Sequence, residues 1–290
     1  MADSGSGWSL PRDRATATDR LDALVREHRF TIAVVFPLVG AVTLLASAEG
    51  LLPPPLAFNP VFVLFGTLVM RLPLVAGVAP LLDRKAMVAV VALTAYSYGI
   101  ELLGVRTGWP YGEFTYGVDL GPMLFGEVPL GLPVFFFPLV LNAYLLVLLL
   151  LGDRAESALP RLLATLSTVI LVDLVLDPGA VGLGFWQYET GAFYGVPWTN
   201  YRGWLLSGAV AVLLFDWGFD RAGLRRRLAE CEFMLDDLVS FVLLWGGINL
   251  FYANWVPVAL AALLGAGLLR TERFDFDLSE TRLGRAVWRS

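Results

Sequence analysis

Residues 129–151 read PLGLPVFFFPLVLNAYLLVLLLL and contain no charged side chain. A helix of about 20 apolar residues can cross the hydrocarbon core of a bilayer, so this stretch predicts a transmembrane helix. The whole chain has a similar character, because 57% of its 290 residues are hydrophobic, 16% are charged and the mean hydropathy is +0.67. Soluble domains have about a quarter of their residues charged. The sequence therefore predicts an integral membrane protein.

Further apolar runs extend this prediction to an all-α, polytopic membrane bundle of about eight transmembrane helices. The last two runs are separated by a very short stretch at 252–255, which leaves seven helices as the alternative. We expect one transmembrane domain over 30–270, a polar and disordered lead over 1–29, and a tail over 271–290. The predicted helices lie at 30–48, 60–82, 86–104, 129–151, 160–178, 203–219, 235–252 and 254–270.

The basic residues favour one orientation of the bundle. If successive helices alternate in direction, 18 Lys and Arg residues fall on the side of the two termini, and Arg106 and Arg202 fall on the other side. Connections rich in Lys and Arg remain in the cytoplasm. We therefore expect a multi-pass protein of the cell membrane with both termini in the cytoplasm.

Composition excludes several kinds of function. His28 is the only His and Cys231 the only Cys, too few for a haem pair, a zinc centre, an iron–sulfur cluster or a His-rich di-iron site. The net charge of -5 leaves no basic surface for nucleic acid. An acidic chain with Lys85 as its single Lys fits a halophile, although GC-rich coding also favours Arg over Lys. We expect neither a metal nor another cofactor.

The polar residues inside the predicted helices gather in the outer half of the bilayer. They are Glu49, Glu101, Asp173, Asp177 and Asn249. Arg71 falls near the middle of its helix, where an unpaired charge is costly, so it is expected to face a carboxylate inside the bundle. At the cytoplasmic end we interpret Asp216, Asp236 and Asp237 as residues of the membrane interface.

Two long outer connections, 105–128 and 179–202, are rich in Gly, Pro and aromatic residues. Trp and Tyr also collect at membrane interfaces without any catalytic role, so an aromatic belt is one reading. A belt does not need Gly and Pro at this density, whereas a folded, re-entrant segment does. We therefore predict a lid over a cavity.

The carboxyl groups under this lid can form an acid/base pair. Asp173 and Asp177 are four residues apart and share a helix face, and Glu101 lies at the same depth. Carboxyl groups in an apolar pocket repel one another, so at least one is expected to keep its proton at neutral pH. The alternative is that Asp173 neutralises Arg71 and that Asp177, followed by Pro178, ends the helix.

A neutral carboxylic acid among aromatic rings can protonate an electron-rich alkene. The tertiary carbocation that forms would be stabilised by the faces of Trp and Tyr, by about 2 kcal/mol or more when water is excluded. A carboxylate can then take a proton from the attacking water. The net reaction is hydration of a carbon–carbon double bond, which needs no cofactor.

The helices and loops of the predicted site contain a set of characteristic residues and short stretches: Glu101, Thr107-Gly-Trp-Pro-Tyr-Gly112, Leu120-Gly-Pro122, Val128-Pro129, Asp173, Asp177-Pro178, Phe185-Trp186, Tyr194-Gly-Val-Pro197 and Asn200-Tyr-Arg-Gly-Trp204. Together they resemble the membrane carotenoid hydratases, most densely over about 96–205. The resemblance implies water addition to the terminal isoprenoid double bonds of a C50 carotenoid, with C40 carotenoids as the alternative. It also implies a polyene substrate, the lipid bilayer and neighbouring carotenoid-pathway enzymes as partners.

Our hypothesis for the site assigns the proton donor to Asp173 or Glu101, and the orientation or deprotonation of water to Asp177. Aromatic residues of the two loops are expected to shape the cation pocket. The residues expected to bind substrate are Trp109, Tyr111, Trp186, Tyr194, Trp204, Arg71 and Asn200.

Three other functions stay open. A carotenoid cyclase would also begin by protonating a terminal alkene. A polyprenyltransferase would use the Asp-Leu-Val-Leu-Asp stretch at 173–177 to hold Mg²⁺ and a diphosphate. A transporter or polyene-binding protein would use Arg71 and the acidic residues as an ion path, although these charges do not cross the bilayer.

Overall fold

A computed structural model describes residues 12–276, which form a bundle of helices with four short strands at one end. The helices are α1 (Arg12–Phe30), α2 (Phe36–Ala48), α3 (Pro60–Val78), α4 (Arg84–Thr107), α5 (Leu132–Leu151), α6 (Ala158–Leu183), α7 (Trp198–Gly218), α8 (Arg221–Glu230), α9 (Asp236–Phe251) and α10 (Trp255–Arg270). The strands are β1 (Phe114–Tyr116), β2 (Met123–Leu124), β3 (Val128–Pro129) and β4 (Trp186–Tyr188).

The helices confirm the prediction of an all-α, polytopic membrane bundle. Six helical segments of the described chain are long and apolar enough to cross a membrane, and a π-helical turn, Thr31–Val35, joins α1 and α2 into one of them. A seventh crossing requires α7 and α8 together, which are bent by 87°. The last predicted helix, α10, is a shorter apolar helix of 16 residues. The count of eight is therefore approximate.

Several element boundaries differ from those predicted. The lead is helical from Arg12 onward, so the expectation of disorder is wrong for that part. Residues 1–11 and 277–290, the remainder of the predicted lead and tail, lie outside the described residues. Helix α6 continues through Pro178 and ends at Gly184, whose φ of 79° is the left-handed conformation that favours glycine. The alternative in which Pro178 ends the helix is wrong.

Charged contacts hold together one end of the bundle, here called the basic end, which contains α8 and the connections 79–83, 152–157 and 231–235. Arg227 contacts Asp22 of α1 at 2.5 Å and the carbonyl of Gly77 at the end of α3 at 3.1 Å. Arg29 of α1 binds Asp236 at 2.7 Å and Asp275, beyond α10, at 2.9 Å. The first and last described segments therefore meet at this end.

A buried ion pair joins α3 to α9 inside the bundle. The Arg71 guanidinium binds the Asp237 carboxylate, which also accepts a hydrogen bond from Asn142 at 2.6 Å. Arg71 therefore faces a carboxylate as predicted, but its partner is Asp237 and not Asp173. Asp236 and Asp237 are fully buried, so their interpretation as interface residues is wrong. The 3₁₀ turn Glu232–Leu235 and the π-helical turn Thr31–Val35 pack against α9, and Arg29 of α1 binds Asp236.

The opposite end, here called the loop end, contains the connections 49–59, 108–131, 184–197 and 252–254. The two long loops pair with each other, because β1 and β4 are antiparallel with Thr115 opposite Gln187. The Gly117 N–H also donates to the Phe185 carbonyl at 3.0 Å, and a Cβ on Gly117 would collide with the Gly184 carbonyl. The two loops thus form one lid.

Candidate active site

A cavity of about 140 Å³ lies under this lid, between α4, α5, α6, α7 and α9. A water molecule needs roughly 10–15 Å³ by this measure, so the cavity can hold an organic group together with water. Most of its wall is aromatic or aliphatic. The carboxyl, amide and hydroxyl groups that line it belong to Ser97, Glu101, Tyr111, Tyr116, Asp177, Tyr188 and Asn200.

Asp177 is the carboxyl group of the α6 wall. It is 3% exposed and accepts a hydrogen bond from the side-chain amide of Asn200, in the first turn of α7. Asp173 lies one helical turn behind it and is completely buried. Neither carboxyl oxygen of Asp173 has a hydrogen-bond partner among the described residues. Because the two carboxyl groups lie one turn apart on the same face of α6, the charge of each acts on the other.

Glu101 is the carboxyl group of the α4 wall, and it is held by the lid. The Tyr116 hydroxyl of β1 donates a hydrogen bond to the Glu101 carboxylate at 2.5 Å. Burial, followed by the charge of Glu101, raises the pKa of the Tyr116 phenol well above its usual range. Tyr116 therefore stays a hydrogen-bond donor to Glu101 at any physiological pH.

Tyr111 of the first loop is fixed against α7. Its hydroxyl lies 2.7 Å from the Ser207 hydroxyl, which is also 3.1 Å from the hydroxyl of Tyr96 on α4. A Cβ at position 203 would collide with the Tyr111 ring, so Gly203 lets the ring approach the helix. Burial raises the pKa of the Tyr111 phenol, and its hydroxyl therefore stays neutral.

Aromatic rings enclose the space between the two carboxyl groups. Trp204 of α7 stacks on Phe136 of α5, with ring centroids 5.4 Å apart. Alternate residues of both lid strands point into the cavity, as expected for one face of a β-ribbon. These residues are Phe114, Tyr116, Trp186 and Tyr188. Such a wall offers ring faces to a cation but has no cationic side chain of its own.

The apolar part of the lining differs in burial from one region to another. Half-buried apolar residues of α4, α5 and the first loop form one region, here called the mouth: Ile100, Leu120, Leu132 and Phe135. Buried side chains from α5, α6 and α9 form another region, here called the back wall: Leu139, Leu176 and Trp245. Glu101 is half-buried, like the mouth residues, and Asp177 is buried, like those of the back wall.

Six of the ten residues predicted for the site line this cavity: Glu101, Tyr111, Asp177, Trp186, Asn200 and Trp204. Asp173 lies directly behind the wall. The other three lie outside the cavity. Trp109 is 55% exposed, and Arg71 pairs with Asp237. Tyr194 packs on Phe193, and its hydroxyl accepts a hydrogen bond from the Val256 N–H.

Sequence reasoning missed several residues of the wall. Phe114, Tyr116 and Tyr188 were missed although period-two spacing, Phe114 with Tyr116 and Trp186 with Tyr188, is the signal of a strand face. Phe136 and Trp245 have no such signal, since every face of their helices is apolar. Within residues 12–276, no three His, Cys, Asp or Glu side chains come together as metal ligands.

Comparisons with known proteins found a family model and a relative that match this chain. The family model described as carotenoid biosynthesis protein matches residues 58–268, which include every helix of the cavity. The bisanhydrobacterioruberin hydratase of Haloarcula japonica is 81% identical over 284 residues, which cover 98% of this chain and 97% of that protein. No solved structure matches the chain. With both matches spanning the whole cavity, the chain belongs to the carotenoid biosynthesis protein family.

Proposed function

We propose that this protein is a carotenoid hydratase that adds water to the terminal isoprenoid double bonds of bisanhydrobacterioruberin, a C50 carotenoid, to give bacterioruberin. The observation that carries the proposal is the pair of carboxyl groups, Glu101 and Asp177, in a cavity with aromatic walls and an apolar mouth. The name of the Haloarcula japonica relative supports the choice of substrate.

The order of groups from the mouth to the back wall matches the chemistry of a terminal isoprenoid double bond. Its outer carbon bears two methyl groups, and its inner carbon bears one hydrogen and continues the chain. A proton added to the inner carbon leaves the more stable tertiary cation on the outer carbon. A chain end that enters through the mouth brings its inner carbon near Glu101 and its outer carbon near Asp177.

Glu101 is accordingly the proton donor and Asp177 the base for water. The alkene π electrons form the new C–H bond with the proton of Glu101, which becomes a carboxylate and keeps the hydrogen bond from Tyr116. A water oxygen then bonds to the cation while Asp177 takes one of the water protons. That proton returns to Glu101 through cavity water, so the sum is alkene plus water to tertiary alcohol.

Asp173 supports the charge on Asp177 instead of touching the substrate. An ionised carboxylate that is buried without partners is very costly, so the neutral acid is the form that this position accommodates. A protonated Asp173 can donate a hydrogen bond to Asp177, one turn away on α6. Of the two donors considered from sequence, the geometry therefore favours Glu101, which lines the cavity.

The aromatic walls stabilise the cation between the two proton transfers. Ring faces contribute about 2 kcal/mol or more to a desolvated cation. Trp186 of the lid and the stacked pair of Trp204 and Phe136 supply such faces in the cavity wall. Because the wall has no Lys or Arg, no positive charge opposes the developing cation.

We also propose that the loop end faces the outside of the cell membrane and both termini face the cytoplasm. A C50 polyene is comparable in length to the roughly 30 Å hydrocarbon core, so it can span the bilayer with its end at the lid. Cys labelling tests this orientation, since burial raises the pKa of the Cys231 thiol to about 11 and makes it unreactive. Glu189→Cys should react with an impermeant maleimide in intact cells, and Arg226→Cys only after permeabilisation.

The function is tested by expressing the chain in cells that accumulate the unhydrated C50 carotenoid and lack their own hydratase. The expected product is heavier by one water molecule for each end that reacts. A cyclase would give a product of unchanged mass. Carotenoid that keeps its mass and its chromatographic position in cells containing the folded protein would overturn the hydratase proposal.

A further inference from the structure

The back wall lies just behind the reacting groups. Leu139, Leu176 and Trp245 come from three different helices, and each is less than one-tenth exposed. Leu176 directly precedes Asp177 in α6, and both residues line the cavity together with Trp245. These buried apolar side chains limit the room available to a chain end that reaches Asp177.

Trp245 is held in this wall from two sides. Its ring lies edge-on to Phe185 of the lid connection, with centroids 6.5 Å apart. On α6, Gly179 makes room for it, since a Cβ at this position would lie 3.0 Å from Cε3 of the indole. The Trp245 side chain therefore has little freedom to withdraw.

Hydrogen bonds of Asn249 and Asn254, here called the clamp, tie α9 to α6. The side-chain amide of Asn249 donates to the Val175 carbonyl of α6 at 2.7 Å and to the Trp245 carbonyl at 2.8 Å. Asn254 in turn donates to the Asn249 side-chain oxygen at 2.9 Å. The clamp fixes the backbone of Trp245 relative to that of Asp177.

We propose that Trp245 is the residue that selects which double bond of the polyene is hydrated, by stopping the chain end where its terminal double bond lies between Glu101 and Asp177. This inference rests on the proposed hydratase function. An inner double bond can reach the same two carboxyl groups only if the chain end moves one isoprene unit deeper. The indole fills the place that this extra unit would need.

Trp245→Leu tests the proposal by shortening the wall while keeping an apolar side chain. One methylene more or less in an apolar pocket alters discrimination about 10–200-fold, and this substitution removes more than that. We expect the share of product hydrated at an inner double bond, located by fragment masses, to rise about tenfold or more over the native protein. Trp217→Leu is the matched control. Trp217 is half exposed at the basic end, where the Lys85 ammonium lies over its ring, so this substitution should leave the product distribution unchanged.

Gly179→Ala tests the same wall in the opposite direction. A Cβ at this position crowds the indole, so we expect less room at the back wall and a fall in total hydration with no inner-bond product. Adding Trp245→Leu to Gly179→Ala should restore hydration, because the smaller side chain removes the collision. A merely structural role for Trp245 would make the double variant worse than either single variant.

A binding measurement separates this inference from the hydratase proposal. Purified protein is mixed with polyenes that differ by one terminal isoprene unit, and the retained pigment is read from its visible absorption. Trp245→Leu should retain the longer polyene several-fold better than the native protein, whether or not water is added. Equal retention together with an unchanged position of hydration would overturn the role of Trp245, even if the native protein proves to be a hydratase.

Discussion

Buried and half-buried carboxyl groups have different partners near the basic end and under the lid. Near the basic end each has an arginine: Asp236 binds Arg29, Asp237 binds Arg71, and Asp216 binds Arg161 at 2.6 Å. Under the lid, Glu101, Asp173 and Asp177 have no Lys or Arg partner among the described residues, and the first and last of these take hydrogen bonds from Tyr116 and Asn200 instead. A paired carboxylate holds helices together, whereas one without a cation can exchange protons.

The largest effect is expected from neutralising the carboxyl groups under the lid. Glu101→Gln and Asp177→Asn should each lower the rate of hydration about 10²–10⁴-fold, the usual contribution of a general acid or base. Thermal stability in detergent should change little, since neither group takes part in an ion pair within the described chain. Glu189→Gln, at an exposed carboxyl of the same loop end, is the control and should keep full activity.

The next largest effect is expected from breaking a pair near the basic end. Arg71→Met leaves the Asp237 carboxylate buried without its cation, which should cost about 3–5 kcal/mol of unfolding free energy. The double variant Arg71→Met, Asp237→Leu should recover most of that loss. Equilibrium unfolding in detergent measures both, and the activity of each folded molecule should stay close to native. A double variant no more stable than the single one would contradict the assignment of this pair to stability.

A smaller effect is expected from the hydroxyl group that holds Glu101. Tyr116→Phe keeps the ring in the lid and removes a hydrogen bond to a charged group, which is worth about 1.5–3 kcal/mol, so the rate of hydration should fall about tenfold or more. Tyr194→Phe is the matched control, since that hydroxyl is bonded to the Val256 N–H outside the cavity. An equal loss of hydration rate in the two variants would contradict a role of the Tyr116 hydroxyl in the site.

The smallest effect is expected from the exposed pair between Arg106 and Glu127, 2.7 Å apart at the loop end. The hydrogen bond from Arg106 lowers the pKa of the Glu127 carboxyl. A lowered pKa stabilises the fold above the ordinary pKa of a glutamate, and this contribution is lost as the pH falls through the lowered value. Because the pair is solvated, Glu127→Gln should leave the melting temperature and its dependence on pH unchanged within error.

The sequence predicted most of the helices and the end of the bundle at which Glu101, Asp173 and Asp177 lie. An apolar run marks a helix, and the position of a charge within the run indicates its depth in the bilayer. The sequence did not predict which groups meet at one depth. Arg71 was expected to have a carboxylate partner, but a run that is apolar on every face does not reveal whether Asp173 or Asp237 is nearer. Packing of α3 against the start of α9 decides this.

The lid was predicted as a folded cover, yet its strands were not. β1 and β4 have three residues each, too few for a pattern that stands out from the surrounding aromatic residues. They exist because the two loops pair with each other, 72 residues apart at Thr115 and Gln187. Helix α6 was predicted too short for a related reason, since Pro178 interrupts a helix by local rules that neighbouring helices can offset in a bundle.

The contacts of Arg29 with Asp236 and Asp275 bear on how the fold is completed during synthesis. Arg29 lies on α1, while its partners Asp236 and Asp275 follow it by 207 and 246 residues and are therefore made much later. Until those residues arrive, the Arg29 charge lacks these carboxylates and the Phe276 ring that packs on it. A chain stopped before residue 232 lacks all the acidic partners of Arg29, so the contacts that tie α1 to α9 and to the segment after α10 form only after most of the chain has been made.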